Sequence, residues 1–274
     1  MAAQVKDIGA PSFEALLRLI AVLRSEEGCP WDRKQTPGTL SVYLIEEIYE
    51  LVEAIASDNT EAVLEELGDV LFQVLFVAYL YEQDQRFSLQ QVLERIIGKM
   101  IHRHPHVFGT EKVESAGQVK QRWRQIKQQE KGVKDSLLDS VPTSMPALMR
   151  AYRISERAAG TGFDWEDLSG VMHQAEQEWI EFTAETGDAA TSRIAKSKAS
   201  MELGDVLFTL VNVARLAGIH PETALSQSTQ KFIRRFKCME AMAADNHSTL
   251  ESLPRDEMEG LWQAAKKADP PSTE

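Results

Sequence analysis

The sequence predicts an all-α protein made of two tandem repeats of an antiparallel helical bundle. Three observations carry that expectation. Strand signals are scarce, whereas apolar residues recur at helical spacing along most of the chain. The heptad Glu66-Leu67-Gly68-Asp69-Val70-Leu71-Phe72 returns unchanged as Glu202-Leu203-Gly204-Asp205-Val206-Leu207-Phe208. The residues around both copies also follow one order: acidic helix, heptad, Lys/Arg pair, Trp/Lys pair.

The elements follow from local pattern. Leu16, Leu17, Ile20 and Leu23 mark a first helix. A polar break at 28–38 precedes a second, marked by Leu44, Ile48, Leu51, Val52 and Ile55. A third carries Val63, Leu64, Leu67, Val70, Leu71, Val74, Leu75 and Ala78, with Thr60 as its expected N-cap. The short break at 57–60 makes the second and third helices antiparallel neighbours. The second half repeats the plan. A helix over 171–186 is followed by a break at 187–191 and a helix reaching about Ala217. Gly218-Ile219-His220-Pro221 ends that helix, and 222–239 forms the next. Gly132, Pro142 and Pro146 place a linker at about 131–147. The expected domains are 1–133 and 134–274, with a disordered tail at 268–274 containing Pro270 and Pro271.

Composition bounds the function. The chain has 274 residues, enough for two modest cores. A net charge of −12 argues against a nucleic-acid binder that works by phosphate neutralisation, but leaves room for a local nucleotide site. Cys29 and Cys238 are far apart and form no disulfide framework, which fits a reducing cytosol. No signal peptide is expected, and no apolar stretch is long enough to span a bilayer. A cytoplasmic protein without membrane or nucleic-acid partners is therefore expected.

The repeated heptad places a Glu and an Asp at i and i+3, on one helix face beside an apolar run. On the preceding helix stand Glu46, Glu47 and Glu50. If the two helices pack antiparallel, Glu50 and Glu46 or Glu47 face Glu66 and Asp69. Such an oxygen-only donor set suits Mg²⁺ or Mn²⁺ rather than zinc or copper. A lone acidic pair is more often a solvated helix face; two copies reverse that balance. Gly68 and Gly204 each sit inside a helix, where glycine costs about 1 kcal/mol relative to alanine. They point either to tight helix packing or to close approach of a ligand. A di-iron carboxylate bundle ranks low, because no Glu-x-x-His pair accompanies these residues.

Lys99 and Arg103, and again Lys231 and Arg235, put two cations on one helix face. Beside a bound cation they read as phosphate ligands. Trp123 and Trp262 offer stacking surfaces. There is no glycine-rich phosphate loop of the GxxxxGK[ST] kind. Pro105 breaks any helix through His102, His104 and His106, and a loop covering the first site is their expected use.

With these motifs in place the chain resembles the MazG nucleoside triphosphate pyrophosphohydrolases of the tandem-domain bacterial type. The matching marks are Gly28-Cys29-Pro30-Trp31-Asp32, Glu46-Glu47-x-x-Glu50, Glu66-x-x-Asp69, Arg103-His104-Pro105-His106-Val107-Phe108, Gly162-Phe163-Asp164-Trp165 and Lys231-Phe232-Ile233-Arg234-Arg235-Phe236. The acidic pattern is shared with other all-α NTP pyrophosphatases; the flanking motifs narrow it to MazG. The resemblance implies Mg²⁺-dependent cleavage of ribo- and deoxynucleoside triphosphates to monophosphate and pyrophosphate, by a homodimer. It implies metal ligation and catalysis by Glu178, Glu181, Glu202 and Asp205, with Lys198, Lys231, Arg235 and Lys266 on the triphosphate and Trp262 on the nucleoside. In the first repeat the corresponding sets are Glu47, Glu50, Glu66 and Asp69 for metal, and Glu46, Lys99, Arg103, Trp123 and Lys127 for nucleotide. The family has paired glutamates where this chain has Gln177-Glu178. Glutamine takes no proton at neutral pH, so a first-Glu base would be lost from the second repeat.

Overall fold

A computed structural model of the chain describes residues 8–130, 136–186 and 193–269. Among these, every regular element is helical. The chain divides into two compact units, Met1–Lys127 and Gln128–Glu274. The division falls in the last turn of a helix that ends at Glu130, next to the expected linker.

Unit 1 opens with α1, Phe13–Arg24, capped by the Ser12 side chain, which accepts from Ala15 N at 3.1 Å. A turn at Asp32–Lys34 leads to α2, Pro37–Ala56. Thr36 and Thr39 form its reciprocal cap, with Pro37 at the first helical position where a missing N–H costs nothing. Then comes α3, Thr60–Gln83. Its N-cap is Asn59, which accepts from Ala62 N at 3.3 Å. Thr60, expected as the cap, is instead the first helical residue, because Asn59 has the extended backbone a cap needs and reaches the same donors. Asp58 turns the chain with φ 52°, so α2 and α3 pack side by side. Ile20, Leu40, Leu75, Phe76 and Leu80 form the core where α1, α2 and α3 meet.

Next are α4, Leu89–Arg103, α5, Pro105–Phe108, and α6, Ala116–Glu130. The break between α4 and α5 lies at His104, as Pro105 dictates; the expected loop is a single helical turn.

Unit 2 contains α7, Ala147–Ala159, α8, Leu168–Thr186, α9, Arg193–Leu216, α10, Pro221–Asp245, and α11, Arg255–Ala268. The helical pair α8 and α9 corresponds to α2 and α3, and the heptad lies in α3 and α9 alike. α8 starts before Val171 and α10 runs on beyond Met239, each longer than its apolar pattern marks. α10 packs on α11 and α7. The expected break at 187–191 and most of the expected tail lie outside the described residues, as does part of the linker. No single helix among the described residues is long and apolar enough to cross a membrane.

Candidate metal and nucleotide site

In unit 1, α2 supplies Glu47 and α3 supplies Glu66 and Asp69. Carboxylate oxygens of these three lie within 4.8 Å of one another. The antiparallel arrangement brings them together: Glu47 faces Asp69, and Glu50, one turn on, bears on Glu66. Glu50 stands outside the tight group, yet its negative charge reaches Glu66. Glu46 is exposed and does not join the group.

The electrostatics are those of clustered carboxylates that repel one another. Glu66 is half-buried, and its Oε2 has lost water without gaining a hydrogen-bond partner among the described residues. Loss of water pushes its carboxyl up from the ordinary value, and Glu50, Asp69 and Glu47 push further. Glu47 is raised by the same causes, loss of water first, then Asp69 and Glu50; a hydrogen bond from Gln73 pulls the other way.

Unit 2 repeats the group. Glu178 of α8 and Glu202 and Asp205 of α9 also bring carboxylate oxygens within 4.8 Å of one another. Glu181, like Glu50, stands outside the group. Loss of water is the main cause that raises the Glu202 carboxyl; Glu181 contributes the largest charge effect, followed by Asp205 and Glu178. Gln174 Nε2 donates to Glu178 Oε1 at 2.7 Å and orients it. Gln177 is half-buried.

The donor chemistry fits a hard divalent cation. Each group offers only carboxylate oxygens, which suit Mg²⁺ or Mn²⁺. The orphaned Glu66 oxygen and the raised carboxyls mark a place where a positive charge would be strongly favoured. Gly68 and Gly204 open onto space: a Cβ at either would meet nothing within 4 Å. Tight packing within the chain, one of the two expected reasons for these glycines, is therefore not what holds them there.

In each unit one cation stands against the tryptophan, but not the same one. In unit 1, Lys99 is exposed, and the Arg103 guanidinium stands 5.8 Å from the centre of the Trp123 ring. The Lys127 side chain lies outside the described residues. In unit 2, Lys198 and Lys231 are exposed, and Lys266 Nζ stands 5.6 Å from the Trp262 ring centre. Trp262 also meets Phe232 at 5.4 Å. Arg235 is engaged: its Nε donates to Asp269 Oδ2 at 3.1 Å and its Nη2 to the Asp269 carbonyl at 3.0 Å.

Three contributors escaped sequence reasoning. Asp269 holds Arg235 from 34 residues away. Gln174 orients Glu178 from the preceding turn; its i, i+4 spacing was a signal that could have been read. Arg215 makes a two-pronged ion pair with Asp164, a residue noted only as part of the Gly162–Trp165 motif. The pair spans 51 residues, beyond any local pattern.

The profile of the MazG nucleotide pyrophosphohydrolase domain matches residues 35–108 and 175–239. Both carboxylate groups fall inside these matches. The chain is 42% identical to the nucleoside triphosphate pyrophosphohydrolase/pyrophosphatase MazG of Thermotoga maritima, over 94% of this chain and 96% of that protein. It is 39% identical to the nucleoside triphosphate pyrophosphohydrolase of Escherichia coli K12, over 94% of this chain and 98% of that protein. It is also 43% identical to YabN of Bacillus subtilis, an uncharacterized protein of which the match covers 52%. The chain therefore belongs to the MazG nucleotide pyrophosphohydrolase family and carries its domain twice.

Proposed function

We propose that the protein hydrolyses nucleoside triphosphates to nucleoside monophosphate and pyrophosphate. The observation that carries this reading is the convergence of Glu178, Glu202 and Asp205 within a MazG domain. Glu178, Glu181, Glu202 and Asp205 hold Mg²⁺ in unit 2, with Mn²⁺ as an alternative; Glu47, Glu50, Glu66 and Asp69 offer the same in unit 1. When bound, the cation supplies positive charge that neutralises phosphate oxygens.

The chain's own residues do the rest. A site glutamate accepts the proton of the attacking water. The water oxygen bonds to the α-phosphorus, the bond to the bridging oxygen breaks, and pyrophosphate leaves. Lys198, Lys231, Arg235 and Lys266 stabilise the negative charge on the phosphates. Arg235 must exchange Asp269 for phosphate to do so. Trp262 contacts the nucleoside. Glu46, Lys99, Arg103, Trp123 and Lys127 are the corresponding nucleotide set in unit 1.

We also propose a homodimer. No residue of α4 is buried, and Val92, Leu93, Ile96, Ile97, Met100 and Ile101 all stand exposed on it. An apolar face of this extent marks an interaction surface. Light scattering of the full chain tests it, and a monomer at micromolar concentration overturns it. A cytoplasmic setting belongs to the same proposal.

The test of function is pyrophosphate release from a panel of ribo- and deoxynucleoside triphosphates, with Mg²⁺ and with EDTA. Release that needs Mg²⁺ is expected. A second reading, a nucleotide sensor without turnover, is favoured by Gln177. Tight triphosphate binding with no pyrophosphate release would select it.

A further inference from the structure

Beyond the carboxylates, unit 2 contains a cavity of about 390 Å³. Phe163, Trp165 and Phe208 form its walls, and Ser155, Thr209 and Asn212 are among its other lining residues. The aromatic walls are open to solvent; Phe163 is 83% exposed. The three polar residues are the reverse: Ser155 is 5%, Thr209 6% and Asn212 7% exposed. Flat apolar walls over a buried polar base suit a planar ligand with hydrogen-bonding edges.

The cavity lies on the stripe of the site. Glu202, Asp205, Thr209 and Asn212 are spaced by three, four and three residues along α9 and share one face. Asn212 lies two turns beyond Asp205, a distance of about 10 Å at 1.5 Å per residue. A triphosphate held at the carboxylates would therefore have its nucleoside within reach of this end of α9.

The polar groups are built rather than incidental. Ser155 Oγ is buried and has no hydrogen-bond partner among the described residues. Asn212 Nδ2 donates to the Phe208 carbonyl at 3.1 Å, and its Oδ1 accepts from Arg215 Nη2 at 3.3 Å. The amide is thus oriented, and its oxygen keeps a second lone pair for a donor. Arg215 also donates to both oxygens of Asp164, one at 3.0 Å. That pair fastens the turn bearing Phe163 and Trp165 to α9.

Unit 1 shows what the same register looks like when filled. The two heptads are 136 residues apart, since 202 less 66 is 136, so Asn212 corresponds to Phe76 and Thr209 to Gln73. Phe76 is 1% exposed and packs in the core with Ile20. Where unit 1 buries a phenyl ring, unit 2 keeps an amide at the edge of a cavity.

We infer that this cavity receives the nucleobase of the substrate, with Ser155 and Asn212 reading its edge between the aromatic walls. The inference rests on the proposed hydrolysis of nucleoside triphosphates in unit 2. It sets base recognition on α9, apart from the contact expected of Trp262.

The test is equilibrium binding of nucleoside monophosphates to the full chain without divalent metal, read by calorimetry. Asn212→Phe, which installs the residue of unit 1, should weaken every monophosphate at least tenfold while leaving binding of inorganic tripolyphosphate with Mg²⁺ unchanged. Ser155→Ala keeps the volume, removes the unpaired hydroxyl and should change the ranking of the bases severalfold; it carries the test if Asn212→Phe does not fold by circular dichroism. Wild-type affinity and ranking in both variants would overturn the inference. So would loss of base ranking in Trp262→Ala alone, absence of monophosphate binding to the wild type, or an Asn212→Phe protein that changes oligomeric state but not nucleotide affinity. Monophosphate binding without pyrophosphate release from triphosphates would sink the proposed hydrolysis and leave the cavity standing. Pyrophosphate release with an unaltered base ranking in both variants would do the opposite.

Discussion

Unit 1 and unit 2 share seven identical residues in α3 and α9, and they part company immediately after them. Within the heptad the helices carry the same carboxylates, each grouped with one glutamate of the preceding helix. Beyond, Gln73, Phe76 and Tyr79 of unit 1 stand where unit 2 has Thr209, Asn212 and Arg215. Phe76 closes a core, whereas Asn212 and Arg215 border a cavity and tie down an aromatic turn. The difference teaches that one acidic scaffold can be kept twice while the helical turns next to it close a core in one copy and border a cavity in the other.

The comparison is most easily broken at the carboxylates. Asp205→Asn in the full chain should lower Mg²⁺-dependent pyrophosphate release by about a hundredfold or more, in line with removal of a charge-stabilising group at a reacting centre. Asp69→Asn should leave at least half of the turnover. Equal losses from the two substitutions would show that both units work, and a loss confined to Asp69→Asn would reverse the assignment.

The packing side of the comparison predicts unequal stability effects. Phe76→Ala empties a fully buried site and should cost about 3–5 kcal/mol. Asn212→Ala, at the edge of a cavity, should cost about 1 kcal/mol, the typical worth of a hydrogen bond. Urea unfolding followed by circular dichroism measures both, and similar values would mean that Asn212 is a core residue after all. Asp164→Ala should cost about 1–3 kcal/mol. It strands an Arg215 side chain that is only 11% exposed, and the partial exposure of Asp164 itself tempers the loss.

Acidity separates the two kinds of carboxylate. In Glu47, Glu66 and Glu202 the folded-state carboxyl titrates above the ordinary 4.5. Between 4.5 and the raised value the metal-free folded state binds more protons than the unfolded chain, so stability rises as pH falls through that window. The unfolding midpoint of the metal-free protein should therefore increase on acidification from neutrality towards 4.5, and saturating Mg²⁺ should remove that increase. Asp164 behaves oppositely. The hydrogen bonds from Arg215 hold it below the ordinary 3.8, so its contribution is present above that value and is lost as pH falls below it. A metal-free protein whose midpoint falls steadily from neutrality would contradict the clustered arrangement.

The smallest expected effect is at Gln177. Glu46, the counterpart of Gln177, does not join the convergent carboxylates of unit 1. Gln177→Glu should therefore change turnover by less than about threefold, far short of the hundredfold or more that a general base contributes. A rise of tenfold or more would make the missing glutamate a catalytic base, and with it a real difference between the units.

Much of this is legible in the sequence. Helical periodicity is local, set by contacts three and four residues apart, so the helices and their duplication could be read directly. The residues of the carboxylate groups were legible too, because Glu66 with Asp69 and Glu202 with Asp205 share a face by spacing alone. The tight grouping of Glu47 but not Glu50, and of Glu178 but not Glu181, was not. Which glutamate on a facing helix reaches across depends on how two helices rotate and approach, a property of their packing. The Thr60 cap was misplaced by one residue because Asn59 and Thr60 are both good caps, and backbone geometry decided between them.

The sequence by itself determined that this is a duplicated helical protein of the MazG family with an acidic pair in each repeat. Only the tertiary structure decided that Asp269 holds Arg235, that Arg215 reaches Asp164, and that the space beside α9 stays open. Those contacts join residues 34 to 51 positions apart. Such partners are chosen by how distant helices come together, and no spacing rule within a helix can name them.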